Sequence, residues 1–166
     1  MTDDPTHDPP RDLAGAWPTA EELASAAVVV LVAAVRYGRH LPEARRFLAL
    51  YRALAPAPAL ALASVNLTAR KPAKSTAEAN PYLRKLVART GCRPAVAAAF
   101  AGRLDYPRYG WLDRQLIRSI MWLTGGPTDP GTCVEYTAWD AVDAFAARVA
   151  ELHAQQTGAG TNRAPP

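Results

Sequence analysis

Two apolar runs each end in a short polar motif: Val28 to Val35 gives way to Arg36-Tyr37-Gly38, and Leu60 to Val65 to Asn66-Leu67-Thr68-Ala69-Arg70-Lys71-Pro72. Parallel strands buried on both faces read as continuous apolar stretches, and an open α/β sheet binds its ligand in the crevice beyond their carboxyl ends. The two motifs are therefore expected to be halves of one site. A third cluster, Arg103-Leu104-Asp105-Tyr106-Pro107-Arg108-Tyr109-Gly110-Trp111, interleaves cations with aromatic rings and runs into an amphipathic helix from Trp111 to Leu123. Leu112, Leu116, Ile117, Ile120 and Leu123 share one arc of that helix, expected to face inward. Trp111, Arg114, Gln115, Arg118 and Trp122 share the opposite arc. An outward Trp/Arg face suits a membrane interface, where indoles sit at headgroup level and guanidinium groups meet lipid phosphates. An ordinary surface helix and a nucleic-acid stacking groove are the competing readings, although no RNA- or DNA-binding motif supports the latter.

The elements that must position these residues follow from periodicity. Pro42 to Leu54 reads as a helix carrying Phe47, Leu48, Tyr51 and Leu54 at helical spacing, with Pro42 in the first turn. Ser75-Thr76-Ala77-Glu78 spells a capping box ahead of a basic helix from Asn80-Pro81 to about Thr90, which Gly91 stops. Ala95 to Ala101 is a further strand, and Trp139 to about His153 a closing helix. Alternation of strand and helix predicts right-handed crossovers and a parallel sheet covered by helices. Residues 103–138 interrupt it with an insert too long for a plain connection. Residues 1–22 read as an irregular acidic, proline-rich segment in which Asp12 to Trp17 alone is a candidate short edge strand, residues 23–156 as one α/β domain, and 157–166 as a disordered tail.

Composition narrows the function. The 166 residues are 49% hydrophobic and carry a net charge of +4, unevenly placed: one Arg against six Asp/Glu up to residue 30, sixteen Lys/Arg against four over 31–120, and two against five thereafter. A basic centre suits an anionic partner, or only solubility. Cys92 and Cys133 are far apart and no metal-ligand spacing occurs, so neither a disulfide framework nor a metal is indicated, and a reducing cytoplasmic setting is expected. No signal-peptide pattern opens the chain, and no apolar run reaches the roughly 18 residues of a membrane span.

From about Ala33 to His153 the chain resembles the flavodoxin-like, quinone-dependent protoporphyrinogen oxidase family. The carrying motifs, in order, are Arg36-Tyr37-Gly38, Ser64-Val65-Asn66-Leu67-x-Ala69-Arg70-Lys71-Pro72, Asn80 and Tyr82 with Arg84-Lys85, Leu104-x-Tyr106-Pro107-Arg108-Tyr109, Trp111-x-Asp113-Arg114, Ile120-Met121, Gly125-Gly126-x-Thr128-Asp129 and Tyr136-Thr137-x-Trp139. The resemblance implies an α/β flavodoxin-like three-layer fold and FMN-dependent oxidation of protoporphyrinogen IX, with electrons passed to a membrane quinone at the inner face of the cell membrane. It implies that Arg36, Tyr37, Gly38, Ser64, Asn66, Leu67, Thr68 and Ala69 border the flavin, with Tyr37 as a stacking ring. Arg70, Lys71, Arg103, Tyr106, Arg108, Tyr109, Trp111, Arg114, Arg118 and Trp122 become candidates for substrate or membrane contact; Arg36 and Arg39 are further candidates for pairing with propionates. No residue is assigned a catalytic role, no nucleic acid is expected, and homo-oligomerisation stays open. A flavodoxin-like electron carrier, another quinone reductase, and a truncated membrane- or partner-binding module are the alternatives.

The resemblance fails ahead of Val28. Flavodoxin-like proteins begin with an apolar strand and a Ser/Thr/Gly loop that holds the FMN phosphate. Thr2 to Arg11 contains no glycine and matches neither. The expectation is that a misassigned start omits these parts, or that they are lost. Either leaves the edge of Val28 to Val35 exposed, an aggregation hazard.

Overall fold

The computed structural model describes residues 11–161. The fold is α/β. Strands β1 (Val28–Arg36), β3 (Ala59–Val65) and β4 (Val96–Phe100) run parallel, and the two-residue β2 (Arg39–His40) folds back antiparallel on the end of β1, giving the order β2-β1-β3-β4. Central β3 is buried along Leu60 to Ser64, as a strand covered on both faces must be. Helices α2 (Pro42–Arg52) and α3 (Pro81–Thr90) close one face of the sheet, where Phe47, Leu48, Leu83 and Leu86 meet Val29, Leu31, Leu60 and Leu62. Full burial of each such leucine contributes roughly 1.5–3 kcal/mol. The other face is covered by α5 (Trp139–Thr161), which lies along β4 and reaches β3 and β1; Phe145 meets Phe100 edge-to-face at 5.8 Å.

That cover stops short of β1. Val30 and Val32, which alternate toward the α5 face, stay 48% and 60% exposed. Among the described residues, no strand pairs with the side of β1 away from β3 between Val28 and Ala34. The predicted bare edge is present.

Several local expectations are corrected. Asp12 to Trp17 forms no strand: Asp12 accepts from the amide of Ala14 through its carboxylate and from those of Gly15 and Ala16 through its carbonyl, closing a turn. A short helix α1 (Ala20–Ser25) follows, starting within the segment read as irregular and running past its end at residue 22. Its capping box is Thr19 with Glu22, whose carboxyl Arg11 and the Thr19 amide hold down at about 2. Ser75 to Glu78 starts no helix; α3 is capped by Asn80, whose carbonyl accepts from the amides of Tyr82 and Leu83, and Gly91 ends it at φ +66°. Helix α5 runs past Thr157 to Thr161, so the expected tail is helical at its start, while 162–166 and the first ten residues lie outside the described residues.

The insert is a small unit of its own. Strands β5 (Arg103–Asp105) and β6 (Cys133–Glu135) pair antiparallel, and α4 (Trp111–Leu123) packs between them in sequence. Leu104, Tyr106 and Met121 are fully buried there, with Leu67, Tyr109, Ile117 and Tyr136 around them. The expected orientation of α4 holds for Ile117, which packs inward, and for Trp111, Gln115 and Trp122, which are exposed, but fails for the other aliphatics and for the two arginines. Leu112, Leu116, Ile120 and Leu123 are exposed at 74%, 43%, 45% and 79%. Arg114 and Arg118 turn inward, donating to the carbonyls of Tyr106 and Tyr109 and of Thr128. The reason is supply and demand: the insert's irregular loops present carbonyls that an arginine fork satisfies, while its two short strands offer too little apolar surface to cover four aliphatic side chains.

Candidate functional site

Both predicted motifs leave the carboxyl ends of neighbouring parallel strands, β1 and β3, whose register pairs Ala34 with Val65. Arg36 to Arg39 is a two-residue hairpin with Tyr37 at φ +51° and Gly38 at φ +73°, the left-handed pair that a hairpin matched to strand twist requires. Glycine adopts this freely; tyrosine does not. Among the described residues Tyr37 is the non-glycine with positive φ, and backbone strain of this kind, on the order of 1–3 kcal/mol, concentrates at functional positions. The ring stands at the hairpin tip, 53% exposed.

Its position is fixed from the insert. Asp113 of α4 accepts an ion pair from Arg36 at 2.5 Å and a hydrogen bond from the Tyr37 hydroxyl. Arg36 also lies 5.1 Å from the Tyr37 ring centroid, in cation–π range. Asp113 was not among the sequence candidates, although the Trp111-x-Asp113-Arg114 spelling contained it; a lone exposed carboxylate gives no periodic signal.

The second motif folds as a 3-10 turn, Leu67–Arg70, behind which lies a buried polar chain. His40 Nε2 is 2.8 Å from Ser64 Oγ, Asn66 Nδ2 donates to Ser64 Oγ at 3.0 Å, and Asn66 and Asn80 exchange amide hydrogen bonds at 3.1 and 3.3 Å. Asn80 also donates to the Lys74 carbonyl at 2.9 Å. Ser64, Asn66 and Asn80 are at most 3% exposed. Their side chains face each other and hold the turn; Asn80 and His40 were missed as members of this chain, because a polar core contact has no sequence period. Burial holds the His40 imidazole below its ordinary pKa of 6.5, in the neutral form.

The remaining candidates separate into engaged and free. Ala69 is buried, and Leu67 and Thr68 are half-buried. Arg70 is tied down, donating to the Leu67 carbonyl at 3.1 Å and to Thr124 Oγ1 at 2.9 Å, so it joins the turn to the end of α4 instead of reaching outward. Arg103 pairs with Asp105 at 3.1 Å and donates to Cys133 Sγ at 2.9 Å. Tyr106 is fully buried, its hydroxyl donating to the Pro127 carbonyl, so it is part of the insert core. Tyr109 accepts from the Asp105 amide. Arg114 and Arg118 are internal braces, which leaves Lys71, Arg108, Trp111 and Trp122 as surface candidates; the two tryptophans are 69% and 76% exposed. No helix among the described residues is long and apolar enough to cross a membrane.

Parallel strands ending in a strained aromatic hairpin and a polar 3-10 turn define a flavodoxin-like α/β protein. The flavodoxin domain family model matches residues 10–131. The chain is 41% identical over 124 residues to Escherichia coli (strain K12) protoporphyrinogen IX dehydrogenase [quinone], covering 75% of this chain and 68% of that protein. It is 42% identical over 124 residues to the Leishmania major protein of the same name, covering 54% of that longer chain. No solved structure gives a significant match. The chain belongs to this flavodoxin-domain family of protoporphyrinogen IX dehydrogenases.

Proposed function

We propose that the chain oxidises protoporphyrinogen IX to protoporphyrin IX at an FMN and delivers the electrons to a membrane quinone. The observation that carries this reading is the brace from Asp113 to Arg36 and Tyr37, which makes the ring-flanking hairpin and the helix with the exposed apolar face one mechanical unit. The residues fit the ring portion of the cofactor. Tyr37 would flank one side, and the turn from Asn66 to Ala69, held by the Ser64–Asn66–Asn80 chain, would border it with backbone groups. Bound FMN would supply the two-electron chemistry; the protein supplies orientation and exclusion of water. Among the described residues no Ser/Thr/Gly loop follows a strand to hold the phosphate.

The exposed side of α4 supports contact with the membrane in which the quinone dissolves. Leu112, Leu116, Ile120 and Leu123 form an apolar stripe flanked by Trp111 and Trp122, the pairing that an interfacial helix buries at the headgroup boundary. The lipid-facing surface is therefore aliphatic with tryptophan edges, and Arg114 and Arg118 stay behind it.

Reconstitution with FMN tests the reading, using both this chain and the chain extended by residues encoded in frame upstream. Yellow protein that forms fluorescent porphyrin from protoporphyrinogen IX when quinone is supplied supports it. Flavin-loaded protein that forms no porphyrin rejects the substrate, and colourless protein in both forms rejects the cofactor. The α4 stripe also supports a second reading, a membrane-binding module without catalysis, which predicts vesicle binding by protein that takes up no flavin.

A further inference from the structure

A cavity lies beside Gly38, between α2 and α3. It encloses about 310 Å³ and is lined by Gly38, Arg39, His40, Arg45, Tyr82, Lys85, Leu86 and Arg89. Four of those side chains are cations and none is acidic. They arrive from three elements: Arg39 from β2, Arg45 from α2, Lys85 and Arg89 from successive turns of one face of α3. Among the described residues none of the four makes an ion pair or a side-chain hydrogen bond, in contrast to Arg36, Arg70, Arg103, Arg114 and Arg118, each of which is engaged.

Converging like charges cost stability. Lys85 and Arg89 repel at four-residue spacing on a helix, and Arg39 and Arg45 add to the same field. All four are exposed on the walls of the concavity, with no carboxylate interleaved among them. Here the walls concentrate them, and a concave site lined by one sign of charge focuses its field on an incoming counter-ion. The floor is not charged: His40 is 8% exposed and bound to Ser64, and Leu86 is buried. At the rim the Tyr82 hydroxyl has no hydrogen-bond partner among the described residues and lies 4.0 Å from where a side chain on Gly38 would begin.

We propose that this cavity is a binding site for a multivalent oxyanion, carried as a phosphate or as paired carboxylates, held by the guanidinium groups of Arg39, Arg45 and Arg89, the Lys85 ammonium and the Tyr82 hydroxyl. Guanidinium forks bind either group bidentately, and the Tyr82 hydroxyl adds a neutral donor with fixed direction. The site needs neither flavin nor porphyrin. It borders the proposed ring site through Gly38, so an occupant would also neutralise the charge beside that hairpin.

Calorimetric titration of the chain at low ionic strength tests this with two probes, inorganic pyrophosphate and citrate. Saturable one-to-one binding of either is expected, and the tighter probe names the class. Arg45→Gln and Arg89→Gln should each weaken binding by about tenfold, the size of one lost charge-assisted hydrogen bond. Tyr82→Phe, which changes no charge, should weaken it severalfold. Arg148→Gln, exposed on α5, should leave it unchanged. Circular dichroism checks that each variant is folded. Absence of saturable binding for both probes overturns the proposal, as does equal weakening by Arg148→Gln or indifference to Tyr82→Phe, either of which would reduce the effect to diffuse charge.

Discussion

The Arg36 guanidinium lies 2.5 Å from the Asp113 carboxylate although the two residues are 77 positions apart in sequence. That pair, with the Tyr37 hydroxyl on the same carboxylate, joins a loop at the end of a parallel strand to a helix from the insert. It ties the insert to the hairpin at the end of β1. Arg36 is 59% exposed at its side chain, so the ion pair itself contributes well under 1 kcal/mol to stability. Its value is positional.

Asp113→Asn should therefore leave the unfolding midpoint nearly unchanged while weakening flavin binding by about tenfold, measured by quenching of flavin fluorescence. A variant that binds flavin as the parent does would remove Tyr37 placement from the function.

Asn80→Ala should destabilise the fold by about 3 kcal/mol in urea denaturation, since it removes a helix cap and leaves the Asn66 side-chain oxygen and the Lys74 carbonyl without their buried donor. Asn66→Ala should cost less, and the double variant should fall short of the sum because the two side chains satisfy each other. Simple additivity would dissolve the network.

His40 gives the fold a pH dependence of defined sign. Its folded pKa is depressed by burial below 6.5, so on acidification the unfolded chain binds the proton first. Stability from this group falls as pH drops below about 6.5, until the folded imidazole itself protonates, and is flat above that range. Urea midpoints across this interval should decline with acid, and His40→Gln should reduce the slope. A slope that the substitution leaves unaltered would assign the effect to other groups.

The stripe on α4 should be separable from the fold. Leu116→Gln with Ile120→Gln and Leu123→Gln removes exposed apolar surface, so stability should change by no more than about 1 kcal/mol in all. Sedimentation with anionic vesicles should drop at least about tenfold. Unchanged sedimentation would exclude this face from membrane contact.

Val32→Lys addresses the bare edge of β1. A charge on the face that is 60% exposed should raise the concentration at which the chain stays monodisperse by light scattering, with little loss of stability. Aggregation that is insensitive to the change would place its origin elsewhere.

The parallel strands, α2, α3 and the helical span of α4 were legible in the sequence, because each repeats an apolar pattern at the period of its own backbone. The two strand-end motifs were legible as neighbours for the same reason: the end of an apolar run marks the carboxyl edge of a buried strand. Local chemistry misled where two motifs competed, as when Ser75 to Glu78 spelled a cap that Asn80 supplies.

What the sequence could not rank were the partners. Which face of α4 turns inward depended on loop carbonyls that only folding brings within reach of Arg114 and Arg118. Tyr106 read as a contact residue and became core, and Asp113 read only as part of a family motif and became the brace. Periodicity is a property of one element and is written along the chain. Hydrogen bonding and charge pairing between elements depend on distances that only the tertiary structure sets.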